Sequence, residues 1–227
     1  MKPYEIIKNI FIVGGPDITD GRDGCIYLLN LGELVLIDSG AGWSVDKIVQ
    51  NAEKLGFGSM GISRIFLTHC HIDHSGGVPE IKSRFGSKVY VHKLDAPPLE
   101  NGDSILTAAK WYQTTLPPIH VDVKLNLPEE ILRIGTEKIT FLHTPGHTPG
   151  SLSIYLDTKG KRVIFAQDIH GPLLPEFGSN LDDWDRSTQR LLDLQSDILC
   201  EGHFGVYKTR KEVKNYIISL RRQYGVE

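Results

Sequence analysis

The chain lacks the features of membrane, secreted and nucleic-acid-binding proteins. No window approaches the ~20 apolar residues that a transmembrane helix needs, and no apolar stretch of the signal-peptide kind opens the sequence. With 25 Lys and Arg against 28 Asp and Glu, the formal net charge is −3, so a basic surface for nucleic acid is not expected. Three widely spaced cysteines do not form a disulfide framework. We therefore expect reduced thiols, a cytoplasmic location, and neither a membrane nor a nucleic-acid partner.

Low-complexity tracts, linkers and clear repeats are also lacking, and 227 residues suit one domain with a substantial core. Short apolar runs alternate with amphipathic stretches, which indicates an α/β fold. The strands that this pattern predicts include 64–67, 88–92, 151–157 and 162–166. The predicted helices are 44–55, with Ser44 as its N-cap, 78–85, 103–116, 181–195 and 209–223.

One loop carries most of the chemical information. The segment 68–77 reads THCHIDHSGG, which places three histidines and one aspartate within six positions between a predicted strand and a predicted helix. Imidazole and carboxylate groups are common ligands of zinc and related metals. In such a turn, His69 and His71 can face one metal while Asp73 and His74 face another. One histidine alone would favour an ordinary polar loop, but this combination predicts a metal site.

Further candidate ligands follow other predicted strands. His147 lies in a loop with a Pro-Gly pair on each side, which would fix its imidazole in space. Asp168 follows the apolar run 162–166, and its two carboxylate oxygens could bridge a pair of cations. His203 follows the apolar run that starts at Ile198. Together with the first loop, these positions predict a metal centre where several strands end.

In their order along the chain, these candidates resemble the metal-binding motifs of the metallo-β-lactamase-fold superfamily of metallohydrolases. The resemblance extends from about Ile26 to about Gly205 and points to the glyoxalase II-like or lactonase-like group. It implies a four-layer αββα sandwich, in which two mixed β-sheets are flanked by helices. We expect a single domain over 1–227, with a helical, lid-like insertion at about 94–128.

The resemblance also implies the ligands. The family pattern assigns one metal to His69, His71 and His147. It assigns the second metal to Asp73, His74 and His203. Asp168 would bridge the two, and Asp38 would support a ligating loop from outside the ligand set.

The function implied by the resemblance is metal-dependent hydrolysis. Two divalent metal ions, zinc by preference with iron or manganese as alternatives, would share a bridging hydroxide that attacks an ester, lactone or thioester. Asp73 would orient this hydroxide and carry its proton. The partner is then a small-molecule substrate. A carboxylate at Asp168 argues against the β-lactamases proper, which lack one at that position.

Two other functions stay open on the sequence. A persulfide dioxygenase-like oxidoreductase would hold a single iron through a loop histidine, His147 and Asp168, because two histidines and one carboxylate are a ligand set of oxygen-activating iron. A non-catalytic metal-binding module would use the same ligands without chemistry. Metal analysis combined with a dioxygen-uptake assay distinguishes both from a hydrolase.

Two features near the predicted centre each have two interpretations. The insertion 94–128 is interpreted as a lid or a homodimer contact, whose Trp111 and Tyr112 would wall the substrate site, or else as an ordinary surface excursion. His170 follows Asp168 by two residues, so an extended backbone would point both side chains toward the metals. His170 would then contact the substrate or donate a proton. The alternative is a structural histidine bonded to a backbone carbonyl.

Overall fold

A computed structural model of the protein describes residues 1–58, 60–166 and 168–227. Within these residues, two β-sheets are formed by successive parts of the chain. The first sheet contains, in sequential order, β1 (Tyr4–Ile7), β2 (Ile10–Gly14), β3 (Ile26–Asn30), β4 (Leu34–Ile37), β5 (Ile62–Phe66), β6 (Lys88–His92) and β7 (Val123–Leu125). The second contains, also in sequential order, β8 (Glu129–Ile134), β9 (Glu137–His143), β10 (Leu152–Thr158), β11 (Lys161–Ala166), β12 (Ile198–Glu201) and β13 (Val206–Tyr207).

Both sheets are mixed. Strands β1 to β4 pair antiparallel, and β4 to β7 pair parallel. In the second sheet β11 and β12 are parallel, and the other neighbours are antiparallel. Parallel neighbours need a crossover, and helices lie in these connections. The α-helices are α1 (Val45–Ala52), α2 (Ile72–Ser75), α3 (Val78–Phe85), α4 (Ala96–Asn101), α5 (Leu181–Asp193) and α6 (Arg210–Gln223).

The core has three layers of apolar side chains, which explains why many strands lack an alternating pattern. Along β3, Ile26 and Leu28 pack on the side of α1 and α3, whereas Tyr27 and Leu29 pack between the two sheets. Successive side chains of a strand point to opposite faces, so a strand buried on both faces is apolar throughout. A third cluster, which includes Trp184, joins the second sheet to α5 and α6. This layering confirms the predicted αββα sandwich.

Two local predictions differ from the structure. The helix predicted from Ser44 to Leu55 becomes a π-helix (Glu53–Phe57) after α1, and the Ser44 hydroxyl donates to Asp23 rather than capping the helix. The helix predicted over 103–116 is wrong, because this stretch forms successive turns.

Left-handed residues explain the second difference. Asp103 does begin a helical turn, since its Oδ1 accepts hydrogen bonds from the backbone N–H groups of Ile105 and Leu106, both at 2.9 Å, as a helix N-cap does. Ala108 and Gln113 then adopt left-handed φ values of 56° and 52°, which a right-handed helix does not allow.

Nowhere in the described chain is a helix long and apolar enough to cross a membrane.

Candidate metal centre

The loop after β5 presents several candidate ligands from one short turn of helix. His71 has an extended backbone (φ −63°, ψ 146°) and directly precedes α2. The hydroxyl of Ser75 donates to the carbonyl oxygen of His71 at 2.9 Å, which holds the turn closed. At Gly76 and Gly77, a Cβ atom would collide with the backbone of the loop that follows β4. These glycines are therefore required by the close approach of two loops.

Seven of the eight predicted site residues converge in two groups that share one carboxylate. In each group, one nitrogen or oxygen atom per residue lies within 4.8 Å of the corresponding atoms of the others. The first group consists of His69, His71, His147 and Asp168. The second consists of Asp73, His74, Asp168 and His203. Each group could hold one metal ion, because imidazole and carboxylate suit divalent transition metals.

Asp168 lies between the two groups and turns one oxygen to each. Its Oδ2 is 3.7 Å from Nε2 of His69 and 3.5 Å from Nε2 of His147. Its Oδ1 is 3.3 Å from Nε2 of His74 and 3.4 Å from Nε2 of His203. The backbone of Asp168 is left-handed, with φ at 50°. The carboxylate therefore has the geometry that a bridging ligand requires.

Orphaned polar atoms show that these residues fit a metal. Nε2 of His69, Nε2 of His74 and Oδ1 of Asp168 are buried and have no hydrogen-bond partner among the residues that the structure describes. Leaving a buried donor or acceptor unsatisfied costs about 1–3 kcal/mol. A cation between these atoms would satisfy them together, since it accepts lone pairs from imidazole and carboxylate alike.

Burial keeps the imidazoles of the first group neutral. It lowers the pKa of His69 and of His147, and together with the neighbouring His147 it lowers the pKa of His71 to about 3. A metal binds the neutral form of imidazole, so these side chains are already in the required state.

The second group has the opposite balance of charge. Burial alone would lower the pKa of His203, but Asp168 and Asp73 outweigh it and raise this pKa to about 10. Burial likewise opposes ionisation of Asp73, yet the attraction of His74 holds the pKa of this carboxyl at about 2. The two carboxylates thus attract positive charge, which a metal cation supplies in place of protons.

Asp38 orients one of the candidate ligands from outside the two groups. Its Oδ2 lies 2.8 Å from Nδ1 of His74, and its Oδ1 accepts from the backbone N–H of Thr68 at 2.8 Å. With Nδ1 engaged, Nε2 of His74 faces the centre. The ring is also held by contact, since a Cβ at Gly24 would lie 2.5 Å from its Cε1 atom. This geometry fits the supporting role predicted for Asp38.

The loop of His147 is held by a residue that the sequence interpretation missed. Nδ1 of His147 donates to the carbonyl oxygen of Pro172 at 2.9 Å, which turns Nε2 toward the centre. The buried Asp95 accepts from the backbone N–H of Gly150 at 2.7 Å and of Cys70 at 3.0 Å. One carboxylate thereby ties two ligand-bearing loops together. Its position shortly after β6 was the available signal, because the other polar site residues also follow strands.

His170 lies outside both groups. An extended backbone was the condition for Asp168 and His170 to point the same way, and it is not met, because the chain turns at Asp168, where φ is positive. Nδ1 of His170 lies 2.8 Å from Oε1 of Glu201, and its ring meets the ring of His203 edge-on at 5.2 Å. Glu201 was also missed by the sequence interpretation. A charged residue within the apolar strand β12 was the signal.

Aromatic side chains of the insertion lie near both ligand groups. The insertion is bonded to the ligand loop, because Thr107 accepts from a backbone N–H of α2 at 2.8 Å. Trp111 packs on Phe177 at 5.0 Å, and Phe177 packs on His71 at 4.5 Å. Burial and the nearby carboxylate of Asp73 raise the pKa of Tyr112, so its phenol stays protonated. Trp111, Phe177 and His71 thereby form a row of ring contacts beside the first group.

Comparison with known proteins identifies the family. The family model described as the metallo-beta-lactamase superfamily matches residues 20–203. The chain belongs to the metallo-β-lactamase superfamily. The probable metallo-hydrolase YflN of Bacillus subtilis is 28% identical, with 96% of each chain covered. The acyl-coenzyme A thioesterase MBLAC2 of Gallus gallus is 29% identical, and the match covers 66% of this chain and 60% of that protein.

Solved structures agree with this assignment. A subclass B3 metallo-β-lactamase of Bradyrhizobium japonicum superposes with a TM-score of 0.82 at 26% identity, covering 99% of this chain and 92% of that one. Its fold is the αββα sandwich described above. The superfamily match, the metallo-hydrolase relatives and the His/Asp cluster together make this chain a metallo-β-lactamase-fold hydrolase.

Proposed function

We propose that this metallo-β-lactamase-superfamily hydrolase cleaves a small ester, lactone or thioester and uses two divalent metal ions, with zinc preferred. The placement of Asp168, one oxygen toward each ligand group, is the observation that carries the dinuclear part. The thioester option is supported by a relative that is named an acyl-coenzyme A thioesterase. A carboxylate that faces both groups supports this reading over a β-lactamase.

The residues of the chain then have distinct tasks. When bound, the metal ions lower the pKa of a water molecule toward neutrality and polarise the scissile carbonyl. Asp73, whose Oδ2 lies 3.3 Å from Nε2 of His203 at the edge of the second group, orients the attacking water and accepts its proton. The new bond joins the water oxygen to the carbonyl carbon. The bond to the leaving oxygen or sulfur breaks, and that atom takes a proton.

Apolar side chains near the centre support a substrate with an apolar part. Trp111 packs on Phe177, which packs on His71, and we propose that the part of the insertion 94–128 that precedes β7 acts as a lid that brings Trp111 and Tyr112 over the substrate. A pocket of about 390 Å³ adjoins His203 and includes Ile12 and Phe204 in its wall. An acyl or alkyl group placed there would be removed from water, which favours binding by about 0.8 kcal/mol per buried CH₂.

A cytoplasmic location is part of the proposal. All three cysteines are buried thiols. Burial raises the pKa of the Cys70 thiol, which makes it unreactive. Thiols of this kind are typical of a reducing compartment.

A substrate panel tests the proposed function. The metal-loaded chain is assayed on an ester, a lactone and a thioester that share one acyl group, and on a β-lactam and a glutathione persulfide in a dioxygen electrode. We expect hydrolysis within the first three and no dioxygen uptake. Dioxygen consumption with the persulfide would instead establish an oxidoreductase. A metal-loaded chain that turns over none of the panel would refute the proposed substrate class.

The role of His170 gives a second prediction. We propose that His170 contacts the substrate and donates the proton that the leaving atom takes, after which solvent restores it. The substitution His170→Ala should leave the metal content unchanged and lower kcat by roughly 100-fold for poor leaving groups, with little effect for good ones. Aryl esters with leaving-group pKa values across several units provide the measurement. A uniform decrease across the series, or loss of metal, would contradict the role.

A further inference from the structure

Glu201 is a buried carboxylate that the steps above do not use. It is the last residue of β12 and is 0% exposed. Its Oε2 accepts from the backbone N–H of His203 at 2.7 Å and of Phe204 at 2.9 Å. Its Oε1 accepts from Nδ1 of His170 at 2.8 Å. Burying a carboxylate is costly unless it is hydrogen-bonded, and here three donors offset the cost.

The backbone of Glu201 is itself fixed. Its N–H donates to the carbonyl oxygen of Gly205 at 2.9 Å, and its own carbonyl accepts from the hydroxyl of Tyr27 at 2.7 Å. In the second sheet it pairs in parallel register with Ala166, two positions before Asp168. Glu201 therefore stands between the loop that carries Asp168 and His170 and the loop that carries His203.

The contact with Glu201 determines which nitrogen of His170 is available. A carboxylate only accepts hydrogen bonds, so Nδ1 of His170 must carry a hydrogen. Nε2 is then the nitrogen left to meet a substrate, in both the neutral and the cationic ring. The same carboxylate holds the two N–H groups that shape the turn at His203. We propose that Glu201 is a positioning residue, which fixes the tautomer of His170 and the place of His203 with one side chain.

This role rests on the proposed function only where it concerns turnover. The tautomer of His170 and the metal content can be measured without a substrate. If the chain hydrolysed nothing on the panel, the proposed function would fail while these two measurements would still decide the role of Glu201.

The tautomer is tested on the folded wild-type chain. Two-dimensional NMR of ¹⁵N-histidine-labelled protein, metal-free and loaded with zinc, reports which ring nitrogen of His170 is protonated, and His170→Ala assigns the signal. We expect hydrogen on Nδ1 in both samples. In Glu201→Gln, the amide oxygen can still cap the loop of His203, but its NH₂ group faces His170, so the hydrogen should move to Nε2. A wild-type His170 without a hydrogen on Nδ1 would overturn the proposal.

Measurements of turnover and metal content distinguish the contact of Glu201 with His170 from its contact with the loop of His203. Glu201→Gln should keep the metal content of the wild type and lower kcat by about 10–100-fold, as is usual when a group that orients an active residue is lost. The double variant Glu201→Gln, His170→Ala should be no slower than His170→Ala alone, because both changes remove one contribution. Multiplied effects in the double variant would show that Glu201 does not act through His170.

Truncation tests the contact with His203. Glu201→Ala removes both carboxylate oxygens and should reduce the bound metal by one ion per chain. Glu201→Gln should keep the metal content of the wild type. Unchanged metal content in a folded Glu201→Ala variant would refute this half of the role. Glu212→Gln is the matched control. The exposed Glu212 also accepts hydrogen bonds, from the backbone N–H of Lys208 and from the hydroxyl of Thr209, but it lies at the start of α6. It should keep wild-type turnover and metal content.

Discussion

Dialysis against a chelator should lower the turnover of this hydrolase by roughly a thousand-fold or more, and added zinc should restore it. The expected size follows from the several kcal/mol that metal ions contribute to stabilising transition-state charge, at a factor of ten per ~1.4 kcal/mol. Without the cations, positive charge beside Asp73 and Asp168 has to come from protons on His74 and His203, whose pKa the two carboxylates raise. These histidines cannot polarise a carbonyl as a metal does. The thermal unfolding temperature should fall as well, because the metals bind the folded chain.

Metal analysis of the same samples tests the dinuclear proposal. The saturated wild type should contain two ions per chain, with metal–nitrogen distances of about 2.0–2.1 Å for zinc in a metal-loaded crystal structure. His203→Ala should retain one ion, because His203 belongs only to the second group. A saturated wild type with a single ion, or with His203 turned away from the metals, would refute the dinuclear site.

Asp73→Asn should remove most of the turnover while the chain stays folded. Asp73 is buried in the second group, with Oδ2 at 3.5 Å from Nε2 of His74 and 3.3 Å from Nε2 of His203. An amide has nearly the same shape, so packing is retained, but it cannot accept a proton. Loss of a general base lowers kcat by about 100- to 10,000-fold. Steady-state kinetics on the best panel substrate, at equal metal loading, gives the measurement.

The matched control is Asp182→Asn, which makes the same chemical change at an exposed position in the first turn of α5. It should leave kcat unchanged. Circular dichroism and metal analysis of both variants exclude unfolding and metal loss as the cause. Wild-type kcat in metal-loaded Asp73→Asn would move the base role to another group or to the metals alone.

Much of the fold could be read from the sequence, since its signals are local. Apolar runs of strand length, such as 88–92, predicted strands because a strand buried on both faces needs an apolar residue at every position. The ligand loop could also be predicted, because His69 to His74 are close in sequence and must be close in space. The insertion could not. There, left-handed backbone angles at Ala108 and Gln113 interrupt the segment that the pattern predicted as one helix.

The sequence by itself determined which residue types could hold metals and that they follow strands. Only the tertiary structure decided how they meet. The left-handed turn at Asp168 directs its two oxygens to different groups and sends His170 to Glu201. Asp95 and Glu201 gained their roles from loops that are distant along the chain. A hydrogen bond between distant loops depends on the packing of both sheets, so no local pattern specifies it.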